Sequence, residues 1–137
     1  MSAEQEFLNS FVKTFSKTEK IEILHNNCRS KKNNPDLKFR WNDAIWFVEA
    51  KISTNDDKYN AVHKLFGELL KMTGIKTDEK NIKYGLLIDN KEFFSSHFRC
   101  IDFQIFTEFG KLIPIEKIFV YENGNIEQYT WNEILTD

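Results

Sequence analysis

The sequence predicts an α/β fold in which helices cover both faces of a central mixed β-sheet. Residues 36–52 alternate apolar and polar side chains around a central turn, as the arms of a β-hairpin do. Apolar residues at helical spacing precede this hairpin at 3–15 and follow it at 57–73, and a buried strand is predicted next, at 82–89. A strand, a helix and a strand in that order suit a right-handed crossover between parallel strands.

The chain is predicted to begin with a helix and a strand. The helix spans residues 3–15, and its apolar residues lie on one helical face: Phe7, Leu8, Phe11, Val12 and Phe15. The strand spans Lys20–Asn26, where Ile21 and Ile23 alternate with charged residues. The predicted order before the hairpin is therefore helix, then strand.

The hairpin itself is rich in aromatic and β-branched residues. The apolar positions of its two arms are Leu37, Phe39, Trp41, Ala44, Trp46, Val48, Ala50 and Ile52. Asn42-Asp43 between the arms is typical of a tight turn. Both tryptophans fall on the apolar face, so we predict that they belong to the core and do not form a platform for stacking bases.

After the hairpin, the region 57–73 presents a broad apolar helical face, and Gly74 is a plausible stop signal. The following strand, 82–89, is an apolar run flanked by asparagines. We expect this strand to lie parallel to the second arm of the hairpin, because a helix separates the two.

The C-terminal third is less regular. Residues 91–113 are apolar without one sustained period, and we expect one or two short helices there. Ile115–Glu122 and Asn125–Trp131 flank Asn123-Gly124, which is a strong hairpin signal. This last hairpin is predicted to close the sheet at one edge. With 137 residues, the whole chain, 1–137, is predicted to be a single domain.

Three charged residues gather on one face of the first hairpin. With Asn42-Asp43 as a two-residue turn, Asp36 lies opposite Glu49, and Lys51 shares their face. Two carboxylates that close do not both ionise without a cation beside them. Lys51 supplies one positive charge, and a magnesium ion, which binds carboxylates and phosphate oxygens, would supply the rest. The arrangement suits metal-assisted hydrolysis of a phosphodiester.

Pro35-Asp36, a spacer and Glu49-Ala50-Lys51 resemble the signature of the PD-(D/E)xK nuclease superfamily, which includes type II restriction enzymes and Holliday-junction resolvases. The resemblance implies a restriction-endonuclease-like core and a metal-dependent endonuclease that hydrolyses phosphodiester bonds. DNA is the expected substrate, and the sequence leaves RNA open. It implies that Asp36 and Glu49 bind Mg²⁺ (or Mn²⁺). It further implies that Lys51 positions the attacking water and stabilises the transition state.

The same resemblance implies two auxiliary glutamates. The first helix often contributes one, for which Glu6 is the candidate, with Glu4, Glu19 and Glu22 as competitors. In some branches a glutamine follows a glycine on the helix after the catalytic strand, and this chain has Glu68 there. Whether Glu68 contacts a metal, the nucleic acid or only Lys64 is left open by the sequence.

The formal net charge of −2 means that any binding of nucleic acid must come from a local basic surface. The candidate phosphate contacts are Arg29, Lys31, Lys32, Lys64 and Lys71. The first three belong to a turn-prone loop that leads to the hairpin, and the last two lie on the helix after it. A solvated loop remains the alternative for the first group.

Two other classes of protein stay open. One is a catalytically silent binding or assembly module with the same fold. The other is a zinc-stabilised interaction domain, because two His-x-x-Cys pairs occur: His25 with Cys28, and His97 with Cys100. An ATPase or a nicotinamide enzyme is disfavoured, since none of the five glycines has the spacing of a phosphate-binding loop.

Two cysteines are too few for a disulfide framework, which favours a reducing cytoplasm. We expect no signal peptide and no membrane partner, because the N-terminus has no apolar segment and no apolar run approaches the ~20 residues that span a bilayer. A core this short leaves little room for a recognition domain. Sequence specificity would therefore need a homodimer or a partner protein.

Overall fold

The computed structural model describes residues 2–29, 33–53 and 58–136. Its α-helices are α1 Ala3–Phe15, α2 Lys58–Thr73, α3 Lys91–Phe98 and α4 Phe103–Leu112. Its strands are β1 Glu22–Asn26, β2 Leu37–Trp41, β3 Ala44–Lys51, β4 Ile82–Ile88, β5 Ile115–Glu122 and β6 Asn125–Tyr129. A 3₁₀ turn at Asn132–Leu135 follows β6.

Within the described residues the six strands form one mixed sheet in the order β1-β2-β3-β4-β5-β6. The central strands β3, β4 and β5 are parallel, and the remaining neighbours are antiparallel. The parallel strands need helical connections, which α2 supplies between β3 and β4, and α3 with α4 between β4 and β5. The predicted central mixed sheet is confirmed.

Each face of the sheet carries its own apolar core. On one face α1 packs Leu8, Phe11 and Phe15 against inward residues of the strands such as Trp46 and Val48. On the other face the residues packed around Phe47 and Leu86 come from α2, α3, α4 and the last turn. Helices therefore cover both faces, as predicted, and β3 is buried on both sides.

The turn of the first hairpin adopts the predicted conformation. Asn42 and Asp43 have φ angles of 52° and 61°, and Trp41 pairs with Ala44 across them. Two consecutive left-handed residues match the right-handed twist of the flanking strands, and Asn and Asp tolerate this conformation better than most residues. The local turn therefore fixes the register of the whole hairpin.

Replacing Asp43 by glycine should stabilise the protein by about 0.5 kcal/mol, because glycine adopts positive φ without a steric penalty and Asn-Gly is the preferred pair in this turn. Unfolding by urea should shift to a higher midpoint at an unchanged slope. Gly124 occupies the corresponding position of the second hairpin, with φ 77°. The matched variant Gly124→Asp should shift the midpoint the opposite way, and equal midpoints for all three proteins would contradict the argument.

Two boundaries at the edges of the sheet, those of β1 and β6, differ from the expectations, whereas the short helices expected within 91–113 are present. β1 begins at Glu22 and not at Lys20, and its first pair is Glu22 with Arg40. Residues 91–113 form two helices, begun by the side-chain caps of Asn90 and Asp102. β6 ends at Tyr129, because Trp131 turns inward and stacks on Phe106. None of the helices in the described part of the chain combines the length and apolar character needed to cross a bilayer.

Candidate active site

The first hairpin places Asp36 beside Glu49. The pairs of the ladder run from Trp41 with Ala44 to Leu37 with Val48, and Asp36 directly precedes this last pair. The backbone N–H of Ala50 donates a hydrogen bond to Oδ2 of Asp36 at 3.0 Å. The carboxylate of Asp36 is therefore held against the strand segment that carries Glu49, as the alternation predicted.

The same register places the charged residues on the face covered by α2. Phe47 packs in the core under α2, and Glu49 and Lys51 follow it at the two-residue spacing of one strand face. On β2, Lys38 pairs with Phe47, and its Nζ lies 5.3 Å from the centre of that ring. Asp36 lies two residues before Lys38 and shares this face.

Both carboxylates are almost entirely removed from solvent. Asp36 is 0% exposed and Glu49 is 3% exposed. Burying a carboxylate is costly unless hydrogen bonds, a cation or a metal ion compensate it. Two such groups at one position of the sheet therefore indicate a site that is built to hold positive charge.

Glu49 lines a cleft of about 300 Å³ between the hairpin and α2. The cleft is bounded by Asn34, Pro35, Glu49, Glu68, Lys71, Met72 and Ile75. Glu49 forms part of the wall, whereas Asp36 is fully buried and does not line the cleft. A substrate group that enters the cleft would thus meet Glu49 first.

Lys51 forms an ion pair with Glu68, one of the residues that line the cleft. The distance from Nζ to Oε1 is 2.9 Å, and the two side chains are 13% and 26% exposed. Lys51 is therefore largely enclosed. The sequence left open what Glu68 contacts, and the structure shows that one of its partners is Lys51 of β3.

The donor set at this position suits magnesium. Magnesium binds one or two carboxylates and completes its shell with water and substrate oxygens, and Asp36 and Glu49 supply two carboxylates. No group of three or more His, Cys, Asp or Glu residues that would enclose a metal ion occurs among the described residues. Asp36 and Glu49 would therefore hold the ion and leave positions open for a phosphate.

The zinc hypothesis is wrong for the two His-x-x-Cys pairs. Cys28 packs against the core under α1, whereas Cys100 is exposed at the end of α3, whose Phe98 packs in the core on the opposite face. His25 lies on β1, at the edge of the sheet. The sheet separates the two cysteines, so one tetrahedral ion cannot contact both pairs.

Glu6 is not joined to the cleft by any described contact. It is exposed on α1, and α1 packs on the face of the sheet opposite α2. Of its competitors, Glu19 accepts a hydrogen bond from Nε1 of Trp41 at 3.0 Å, and Glu22 pairs with Arg40 at 3.2 Å. The structure thus brings together Asp36, Glu49, Lys51 and Glu68, but not Glu6.

The candidate phosphate contacts divide into separate places. Lys71 lines the cleft, and Lys64 is exposed two turns before it on α2. Arg29 is exposed and lines a different polar pocket of about 340 Å³ beside the start of α1. Lys31 and Lys32 lie outside the described residues. Among the candidates that the structure describes, Lys71 is the one placed directly at the cleft.

The sequence did not single out two participants in this geometry. The backbone N–H of Ala50 orients Asp36, and Asn34 forms part of the cleft wall. Ala50 carries no polar side chain, so its role has no signal in the sequence. Asn34 precedes Pro35-Asp36 directly, and that proximity to the signature was the only available indication.

No protein-family profile and no curated protein matches this sequence. A solved structure does match: the chain is similar to an XisH family protein from Nostoc punctiforme PCC 73102, with a TM-score of 0.63. The alignment covers 94% of this chain and 99% of that chain, at 12% sequence identity. Structural similarity at an identity this low supports a shared fold and nothing more. The chain therefore has an α/β fold with a restriction-endonuclease-like core.

Proposed function

We propose that the protein is a metal-dependent endonuclease that hydrolyses phosphodiester bonds in DNA. The observation that carries this proposal is the grouping of two buried carboxylates, Asp36 and Glu49, with the Lys51–Glu68 ion pair at one cleft. A structural scaffold has no need of two buried carboxylates beside a cleft, whereas a site that binds a cation and a phosphate does.

Each residue has a chemical role in this proposal. Asp36 and Glu49 would hold Mg²⁺ (or Mn²⁺), which supplies charge neutralisation at the phosphate and makes a water molecule easier to deprotonate. The ammonium group of Lys51 stabilises negative charge that develops on the phosphate. Glu68 orients Lys51 through their 2.9 Å contact. Lys71 meets a flanking phosphate at the mouth of the cleft.

A catalytically silent binding module is the second candidate, and two observations favour it. Asp36 is fully buried and does not line the cleft, and Lys51 is already paired with Glu68. In a silent module these contacts would serve the fold alone. Cleavage discriminates the two candidates: duplex, branched and single-stranded DNA and RNA are incubated with the pure protein and Mg²⁺ or Mn²⁺. Cutting that stops on addition of a chelator supports the nuclease, and intact substrates throughout support the silent module.

Replacing Glu49 by glutamine should remove magnesium binding together with cleavage. The amide keeps the shape of the side chain but loses the charge that holds the cation, and even groups outside the first shell of a metal contribute about 10–100-fold to affinity. Titration calorimetry should therefore show magnesium affinity lowered by more than about tenfold. Nucleic acid should remain uncut.

The matched control is Glu116→Gln. Glu116 lies on β5, where its carboxylate is 3.8 Å from Nζ of Lys83, and it is exposed and outside the cleft. This variant should bind magnesium and cut as the parent protein does. Unchanged magnesium binding by Glu49→Gln would show that Glu49 does not hold the metal ion.

A further inference from the structure

Gly67 lies in the interior of α2, where glycine is disfavoured because it loses more backbone freedom than any other residue. It is exposed, and no described atom outside the backbone of the helix lies within 4 Å of a Cβ built on it. Packing explains two other glycines, since a Cβ would lie 3.1 Å from Phe119 at Gly85 and 2.2 Å from Trp131 at Gly110. Packing among the described residues gives no comparable reason for glycine at position 67.

The position of Gly67 relates it to the cleft. Residues 64, 67, 68, 71 and 72 recur at the spacing of one helical face. Three of them, Glu68, Lys71 and Met72, line the cleft. Gly67 therefore lies at the rim of the cleft, between the exposed side chains of Lys64 and Lys71.

We propose that a nucleic-acid strand leaving the cleft runs along α2 past Gly67, where its sugar–phosphate backbone contacts the backbone of the helix. Lys64 and Lys71 then contact the phosphates on either side. The two lysines are seven residues apart, about 10 Å along the helix axis. That distance spans about three nucleotides of a B-DNA strand. This inference rests on the proposed function and adds a path for the substrate.

The charges of this face favour a phosphate strand over a partner helix. The exposed neighbours of Gly67 at helical spacing are His63, Lys64, Leu70 and Lys71, and of these only Leu70 is apolar. A packed helix of another protein would require an apolar stripe there and not a single apolar side chain between lysines. A polyanion, in contrast, is attracted by the lysines and approaches closely where a side chain is missing.

The experiment uses Gly67→Ala and Gly67→Gln, each made in the Lys51→Met background so that the substrate stays uncut. Binding to a fluorescently labelled DNA duplex with a single-stranded arm is measured by anisotropy in Mg²⁺. Affinity should fall about tenfold for alanine and further for glutamine, because a side chain in a close contact displaces the strand. The melting temperature should rise by about 3 °C in both variants, since both residues favour helix.

The salt dependence separates the glycine from the lysines. Lys64→Ala and Lys71→Ala should each reduce the slope of log affinity against log salt by about one, because each lysine releases counterions at a phosphate. The Gly67 variants should leave that slope unchanged, since they remove no charge. Weaker binding with an unchanged slope and a higher melting temperature is the combination that a close steric contact predicts.

Two results would overturn the inference. The first is that both Gly67 variants bind DNA with the parental affinity. The second is that these variants bind DNA normally but show altered self-association in sedimentation, which would mean that this face contacts another protein molecule. The nuclease proposal fails separately. If the unmodified protein binds the duplex without cutting any substrate, and the Gly67 variants bind more weakly at an unchanged salt slope, the proposed path of the strand is supported and the nuclease activity is contradicted.

Discussion

Replacing Lys51 by methionine should slow phosphodiester cleavage by about 10²–10³-fold, the usual cost of removing one preorganised group that stabilises developing charge. Methionine keeps most of the apolar stem, which matters because the side chain of Lys51 is only 13% exposed. Magnesium should still bind, since Asp36 and Glu49 remain. Single-turnover cleavage of the best substrate measures the chemical step directly.

The fold should tolerate this change. Glu68 loses its contact with Lys51, but it is 26% exposed and can be hydrated, so the stability loss should stay below the ~3 kcal/mol that breaking a fully buried pair costs. Lys83→Met is the matched control, because Lys83 lies on the adjacent strand β4 and its Nζ is 3.8 Å from Glu116, outside the cleft. The control should cut at the parental rate. If Lys51→Met cuts at the parental rate, Glu49-Ala50-Lys51 is only the end of a structural strand and not a catalytic motif.

Replacing Gly110 by alanine should destabilise the protein by about 3 kcal/mol through overpacking and a strained hydrogen bond. A Cβ at this position would lie 2.2 Å from Cδ1 and 2.5 Å from Cγ of Trp131. The indole cannot yield easily, because it stacks on Phe106 at 4.5 Å and its Nε1–H donates to the carbonyl oxygen of Phe106 at 2.7 Å. The last turn of the chain is held in place by this contact.

The measurement is thermal unfolding, with an expected fall of about 10 °C in melting temperature. Gly67→Ala is the matched control: the substitution and the type of secondary structure are the same, but no described atom outside the helix backbone meets the new Cβ. The two variants should therefore shift the melting temperature in opposite directions. A stabilised Gly110→Ala protein would show that Trp131 is free to move.

The hairpin could be predicted in detail because its determinants are local. The alternation of Leu37, Phe39 and Trp41 and the Asn42-Asp43 turn set the register within a few residues. That register alone placed Asp36 beside the segment of Glu49 and on the face of Lys51. The positions of the three signature residues were thus determined by the sequence, whereas their roles in catalysis remain predictions.

The partner of Glu68 was decided by the tertiary structure. The helical spacing of Lys64 and Glu68 offers a local ion pair, but Glu68 contacts Lys51, which lies 17 residues away in the sequence. The position of α2 over β3 depends on how apolar residues such as Phe47 and Leu65 pack together in the core. Periodicity identifies which residues are buried, but it does not specify which helix packs on which face of the sheet.

The same reason explains where the candidate residues that are distant in sequence lie. Glu6 and Cys28 lie on the α1 side, and Cys100 lies beyond α3 on the other side, because the crossover helices occupy one face and leave α1 the opposite one. The sequence by itself determined the elements and the hairpin that carries the charges. Which of the remaining polar residues reach those charges was decided by the tertiary structure, because it depends on which helix packs on which face of the sheet. That assignment follows from packing over the whole chain and from no local pattern.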